Sequence, residues 1–144
     1  MTDEIAVREL RGLIKERVDA IAAGDAGPLT ARQHSDVLAF NVLPPLKLTG
    51  HSAVDEQMQA WFDAYRDGPH YHVHDLQVDA ESDLGYCAFI YHVGGTLADG
   101  ADVSMAVRAT LVCKRIDGQW FIVHDHESVP FDPQTGLALT DLQP

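Results

Sequence analysis

Positive charge is scarce in this sequence. Ten Lys and Arg stand against 22 Asp and Glu, for a formal net charge of −12. A surface of that sign repels nucleic acid and anionic membranes, so neither is expected as a partner. Cysteine is nearly absent. Cys87 and Cys113 both sit in apolar, strand-like runs and read as buried free thiols rather than a disulfide framework. No apolar run approaches the roughly 18 residues that a membrane span needs. The opening Met1-Thr2-Asp3-Glu4 has neither a basic nor an apolar stretch, so no secretory signal is expected and a cytoplasmic location follows by default. There is no internal repeat, low-complexity segment or linker. Residues 1–144 are therefore expected to form one domain, with 136–144 as a tail that packs or frays.

The most informative stretch is Asp117 to Phe131. Asp117-Gly118 is a hairpin turn signal, and Trp120 to Val123 is aromatic and β-branched, as a strand requires. Pro130 cannot donate to a ladder and should end the strand. Its last part carries His124, Asp125, His126 and Glu127 in a row, which suggests a strand running from a core into a pocket. Side chains alternate along a strand. Asp125 and Glu127 therefore share one face, and His124 and His126 the other.

Elsewhere, Leu10, Leu13, Ile14, Val18 and Ile21 recur at helical spacing and predict a helix over 3–23, stopped by Gly24. Asp25 and Pro28 predict a short second helix to about His34. A strand is expected over 36–42, broken by Pro44-Pro45. Ser52 and Asp55 read as a shortened capping box for a third helix. Its apolar stripe runs Val54, Met58, Trp61, Phe62, Tyr65, and Asp67-Gly68-Pro69 ends it. From Tyr71 the period becomes two, with strands expected at 71–79, 84–95, 102–115 and 119–128. Helices gathered before a run of hairpins predict an α+β fold with the helices on one face of the sheet.

This order of elements resembles the nuclear transport factor 2-like superfamily, and within it the SnoaL-like branch of ketosteroid isomerase homologues. The motifs that carry the resemblance are Asp36 to Asn41, Leu48 to His51, Ala60-Trp61-Phe62, Val107 to Thr110, and Trp120 to Phe131. The resemblance implies a cone-shaped, curved, mostly antiparallel sheet with three N-terminal helices packed on its concave face. It also implies a pocket for a small organic molecule between helices and sheet, and a homodimer built on the outer sheet face. An isomerase, cyclase or hydrolase type of chemistry is expected if the protein is an enzyme, and no cofactor is implied.

The ketosteroid isomerase set is not carried over. By element matching, its aspartate base falls on Asn41, its tyrosine on Arg17 and its second donor near Thr110. Asp125 or His126 is then the expected acid–base group. Asn41, Trp61, Tyr65, His92, Arg108, Thr110 and His124 are the expected ligand-binding residues, with Tyr86 and Ile90 on the same strand face as His92. Arg108, mid-strand on a face of small residues, is expected to pair with Asp125 on the next strand.

Two other classes stay open. His72-Val73-His74 and His124-Asp125-His126 each place two imidazoles on one strand face, and two such strands side by side could hold a metal. No metal is expected, because neither pair completes a ligand set. A non-enzymatic binding or oligomerisation module is the other alternative, and fold alone does not separate these classes.

Overall fold

The computed structural model describes residues 3–144. The first helix, α1, spans Glu4–Ala23. Asp3 caps it by accepting from the N–H groups of Ile5 and Ala6, both at 3.1 Å, and Gly24 ends it at φ 67°. Its buried stripe is Leu10, Leu13, Ile14 and Ile21, the apolar spacing read from the sequence. Helix α2 is only Gly27–Ala31. It stops short of His34 because the chain is already in the sheet at Gln33, and Ile122 N–H donates to the Arg32 carbonyl at 2.7 Å. Strand pairing overrides local helix propensity there.

Strand β1 is Gln33–Phe40, and a two-residue strand not anticipated from the sequence, β2 (Leu48–Thr49), pairs with it. Helix α3 spans His51–Asp63. The expected capping box does not form: the helix begins two residues early with Gly50 at its N-cap, and Asp55 is bonded to His51 Nδ1 instead. Tyr65 is not helical. It opens β3 (Tyr65–Glu81), followed by β4 (Leu84–Leu97), β5 (Asp102–Ile116) and β6 (Gln119–Ser128). Asp117 and Gly118 both have positive φ, 51° and 80°, as a tight hairpin turn between twisted strands demands.

The six strands form one sheet in the order β2-β1-β6-β5-β4-β3, antiparallel except for the β1–β6 pair. Register shifts between His74 and Gln77 in β3, and at Val112/Cys113 between β5 and β6, bend the strands that carry them. Helix α1 packs on β3, β4 and β6, and α3 on β1, β2 and β3. Between these helices and the sheet lies the core, in which Leu10, Val37, Val107, Leu111 and Ile122 are almost fully buried. Cys87 and Cys113 are in it as buried free thiols. At Gly85 a Cβ would stand 2.6 Å from Leu10 Cδ1, so the missing side chain is what lets α1 sit this close to β4. The tail folds back as well. Phe131 bridges Ala138, and Ala106 on the β5 edge that β6 leaves free donates to the Thr140 carbonyl. Among the described residues no helix is long and apolar enough to cross a membrane.

Gly95 secures the junction of α3 and β3. It has φ 148°, and a Cβ there would lie 2.4 Å from the Asp67 carbonyl oxygen and 2.9 Å from Tyr65 Cδ1. Gly95→Ala therefore meets both backbone strain and a backbone clash. The expected loss of stability is roughly 3 kcal/mol, the sum of a strain cost and an overpacking cost of similar size. Denaturant unfolding checks it; a loss below about 1 kcal/mol would mean the strands part there easily.

Candidate functional site

The helices leave a cavity of about 280 Å³ against the sheet. That is close to the lower limit of small-molecule sites, about 300 Å³. Its walls are mostly apolar. Ile21 comes from α1, Leu29 from α2, and Val54, Met58 and Trp61 from α3. Trp61 is held by aromatic neighbours: its ring meets Tyr65 edge-on at 6.2 Å and Tyr71 at 6.4 Å. Trp61 thus lines the cavity as expected from its place on the α3 stripe. Tyr65 stands behind it, supporting the wall rather than lining it.

One polar cluster interrupts this surface. Arg17 enters from α1, Tyr71 from β3, Tyr91 from β4, and Asp125 and Glu127 from β6. Arg17 Nη2 stands 3.8 Å from Asp125 Oδ2, with both side chains nearly excluded from water. Tyr91 donates its hydroxyl to Glu127 Oε1 at 2.6 Å, and the Tyr71 and Tyr91 rings stack at 4.7 Å. Asp125 and Glu127 share this face of β6, close enough for the charge of Glu127 to act on the Asp125 carboxyl.

Charge in this cluster is settled by burial. Desolvation, and then the neighbouring charge of Glu127, push the Asp125 carboxyl well above the usual carboxylate range; Arg17 pulls the other way and does not prevail. The neutral form of Asp125 is favoured accordingly, as burial beside a second carboxyl favours it. Burial works against the Arg17 charge, but Tyr71, Asp125 and Glu127 outweigh it, and the guanidinium stays protonated. Burial raises the Tyr91 pKa well above its usual value, and the Glu127 charge adds to the effect, so the phenol remains a donor.

Asp125 points inward because β6 carries one extra residue. Cys113 pairs with Ile122 but Val112 pairs with His124, so Val123 is bulged out of register. Trp120 and Ile122 face the core before the bulge, and Asp125 faces it after. His124 and His126 are consequently on the outer face, against the ring of Phe40 at 5.0 and 5.4 Å. His124 donates from Nδ1 to the Leu38 carbonyl at 2.7 Å, and His126 is exposed.

Three expected ligand-binding residues lie on that outer face as well, away from the cavity. Arg108 is exposed and bonds Ser128 Oγ at 3.2 Å, so the expected Arg108–Asp125 pair does not form. Thr110 stands opposite His126, and His92 bonds Ser104 Oγ at 2.9 Å. The even-numbered face of β4, with Tyr86 and Ile90, is outside too; the core takes the odd face, Phe89, Tyr91 and Val93, and of these Tyr91 lines the cavity. The physical reason is plain: the uniformly apolar face of each strand is the one the core takes, and charged side chains remain in water. Of the expected residues, Asn41, Trp61 and Asp125 meet in the cavity.

Arg17, Tyr71, Tyr91 and Gln57 were not expected to line the site. An arginine on the inner side of a helix otherwise buried through Leu13, Ile14 and Ile21 was the available signal for the first. The metal alternative required its two His-x-His strands side by side, whereas β4 and β5 separate β3 from β6. Among the described residues no group of three or more His, Cys, Asp or Glu is placed to hold a metal ion.

The family model for the SnoaL-like domain matches residues 10–132. No curated protein matches the chain. Among solved structures, an NTF2-like protein of unknown function from Pseudomonas putida is 28% identical, with a TM-score of 0.92 and full coverage of both chains. An NTF2-like-family protein from Streptomyces avermitilis, proposed as a dehydratase, superimposes with a TM-score of 0.72 at 20% identity, over 88% of this chain and 97% of that one. A protein with a cystatin-like fold from Caulobacter vibrioides gives 0.71 at 14% identity, over 88% and 89%. At these last two identities the likeness is one of fold.

The protonated state of Asp125 has a measurable consequence. A carboxyl whose pKa rises on folding binds its proton more tightly in the native state. That favours the fold fully below the ordinary Asp value of about 3.9, and the advantage is lost as pH rises towards the native value. Asp125→Asn removes the dependence. Its stability relative to wild type should therefore climb with pH above about 4, by at most about 1.4 kcal/mol per unit. Parallel pH-stability curves for the two proteins would mean Asp125 is ionised. Infrared spectra followed with pH should show a carboxylic acid band in the wild type that persists above the ordinary Asp range and that Asp125→Asn lacks.

Proposed function

The chain belongs to the SnoaL-like domain family, and from that premise we propose that its cavity binds a small, neutral, mostly apolar organic molecule and transfers protons on it, with Asp125 as the acid and Glu127 as the base. The observation that carries this reading is the placement of two carboxyls at the wall of an apolar cavity, Asp125 buried and shifted towards its neutral form and Glu127 half-buried beside it. Pairs of titratable groups pushed apart in pKa are how one site runs acid and base chemistry near neutrality.

The chemistry suits a carbonyl compound. Glu127 removes a proton from the carbon next to the carbonyl, while Asp125 gives its proton to the carbonyl oxygen; the product is the enol. Return of a proton at another carbon isomerises the molecule, and loss of a neighbouring hydroxyl as water dehydrates it. Arg17 stabilises the carboxylate left on Asp125, at little reorganisation cost because it is already in place. Tyr91 orients Glu127 and limits its approach to one direction. In this reading the guanidinium faces one net carboxylate charge before reaction, which supports a ligand without charge of its own. The S. avermitilis relative, proposed as a dehydratase, is in keeping with chemistry of this kind on this fold.

The test is proton exchange. A panel of small cyclic ketones and enones is incubated with the protein in deuterated water, and loss of the α-proton signal is followed by nuclear magnetic resonance. Wild type should accelerate exchange for at least one member. Asp125→Asn and Glu127→Gln should each lose about 10²–10⁴-fold of that rate, the usual contribution of a positioned acid or base. His126→Ala, altered on the outer face, should keep it. Binding without acceleration would make the protein a binding module, and equal rates in wild type and both carboxyl variants would remove these residues from the chemistry.

A further inference from the structure

One buried acceptor in the cavity wall takes no part in acid–base chemistry. Asn41 follows β1, whose Ala39 and Phe40 pair in parallel with Asp125 and His126. Ala39 faces the core, and Asn41, two residues on, faces the same way and lines the cavity. It therefore stands one strand over from Glu127, at a neighbour spacing of about 5 Å.

The orientation of its amide is fixed by a relay. The Pro44 carbonyl can only accept, so Gln57 presents its Nε2 there, at 3.3 Å. Gln57 Oε1 is then turned towards Asn41 and accepts from Asn41 Nδ2. That commits the nitrogen of Asn41 to Gln57 and leaves its Oδ1 on the other side. Asn41 Oδ1 is buried and has no partner within the described protein. A buried acceptor left unpaired costs about 1–3 kcal/mol. Two amides and a carbonyl hold it aimed in this way, next to the carboxyl pair.

We propose that Asn41 determines specificity: its Oδ1 accepts a hydrogen bond from a hydroxyl that the substrate carries near the oxygen addressed by Asp125. The preferred substrates are hydroxylated carbonyl compounds, the hydroxyl and carbonyl oxygens lying about one strand spacing apart, as in a β-hydroxy ketone. The inference rests on the reading of the cavity as a site for small neutral carbonyl compounds. Gln57 is a positioning residue, acting only through the orientation it imposes on Asn41. Selection of this kind is sharp because the analogue lacking the hydroxyl leaves the buried acceptor unsatisfied.

A matched pair of ligands tests it: indanone and its β-hydroxy derivative, titrated calorimetrically against the full chain. Wild type should bind the hydroxy ketone about tenfold more tightly than indanone, the worth of one such hydrogen bond. In Asn41→Leu, of nearly the same shape, the ratio of the two affinities should fall to within about twofold of one. Gln57→Met keeps Asn41 but releases its amide, and should lose most of the preference. Gln57→Glu, which still offers an oxygen to Asn41 Nδ2, should restore it. Circular dichroism shows whether each variant is folded, and the Gln57 pair decides the matter should Asn41→Leu not fold. Equal affinities in wild type, the result expected if water satisfies Asn41 Oδ1, would overturn the proposal and leave the acid–base reading intact. A preference that persists in Asn41→Leu would overturn it too. No binding of either ketone would overturn both.

Discussion

One extra residue in β6 decides which side of the sheet carries the chemistry. Side chains alternate strictly along a strand, so a shift of one position sends every later side chain to the opposite face. Trp120 and Ile122 are committed to the core by size and apolarity. Without the bulge at Val123, His124 and His126 would follow them inward, and Asp125 and Glu127 would stand in water. With it, two imidazoles are exchanged for two carboxyls at the cavity wall. Bulges of this sort are a common way of re-aiming a side chain beside a site. The pairing of β6 with β1 reinforces the choice, because Ala39 and Asp125 then project together beneath the helices.

Placing Asp125 in the core beside the half-buried Glu127 is unfavourable, and the surrounding groups divide that cost. Asp125 is shifted towards its neutral form with Arg17 nearby, and Glu127 takes a hydrogen bond from Tyr91. Neither device suffices alone. An ionised pair would repel itself at a site where little water screens it, and a lone Arg17 on the inner face of α1 would be an uncompensated buried charge. The cluster is self-consistent only as a set, which couples α1 to β6 through the cavity. Asp125 Oδ1 and Arg17 Nε are buried without protein partners, a cost the cluster carries.

Much of the architecture is legible in the sequence because each element is announced by more than one signal. For α1, the cap Asp3, the stripe from Leu10 to Ile21 and the stop at Gly24 all agree. For β6, the Asp117-Gly118 turn and the break after Ser128 fix both ends. The site is less legible, for physical reasons that can be named. Parity says which residues share a face but not which face is inside, and a bulge breaks parity without leaving a mark such as Gly or Pro. Arg108 shows the hazard: read as buried, it demands an anion, whereas the apolar run Val107, Ala109 and Leu111 on the opposite face already identifies the core side. Tyr65 shows another. Its spacing from Trp61 continues the helical stripe, yet the sheet claims it through pairing with Leu97, and its ring still reaches Trp61 from the strand.

The resemblance to ketosteroid isomerase homologues acquires a physical meaning in this arrangement. The positions of that enzyme's base and tyrosine fall on Asn41 and Arg17, and both line the cavity. An amide cannot take a proton, and a guanidinium buried beside carboxyls does not give one up. Those positions therefore supply an amide and a fixed positive charge, and the titratable groups at the cavity wall are Asp125 and Glu127 on the neighbouring strand. The fold keeps a cavity roofed by helices and floored by a sheet, and the side chains in its wall can differ without changing that layout. A base on β1 would act with its neighbours on α1; an acid on β6 needs the bulge to reach the cavity at all. The polar character of the cavity is thus set by one unpaired residue, Val123, and by the charge that Arg17 brings to meet what it admits.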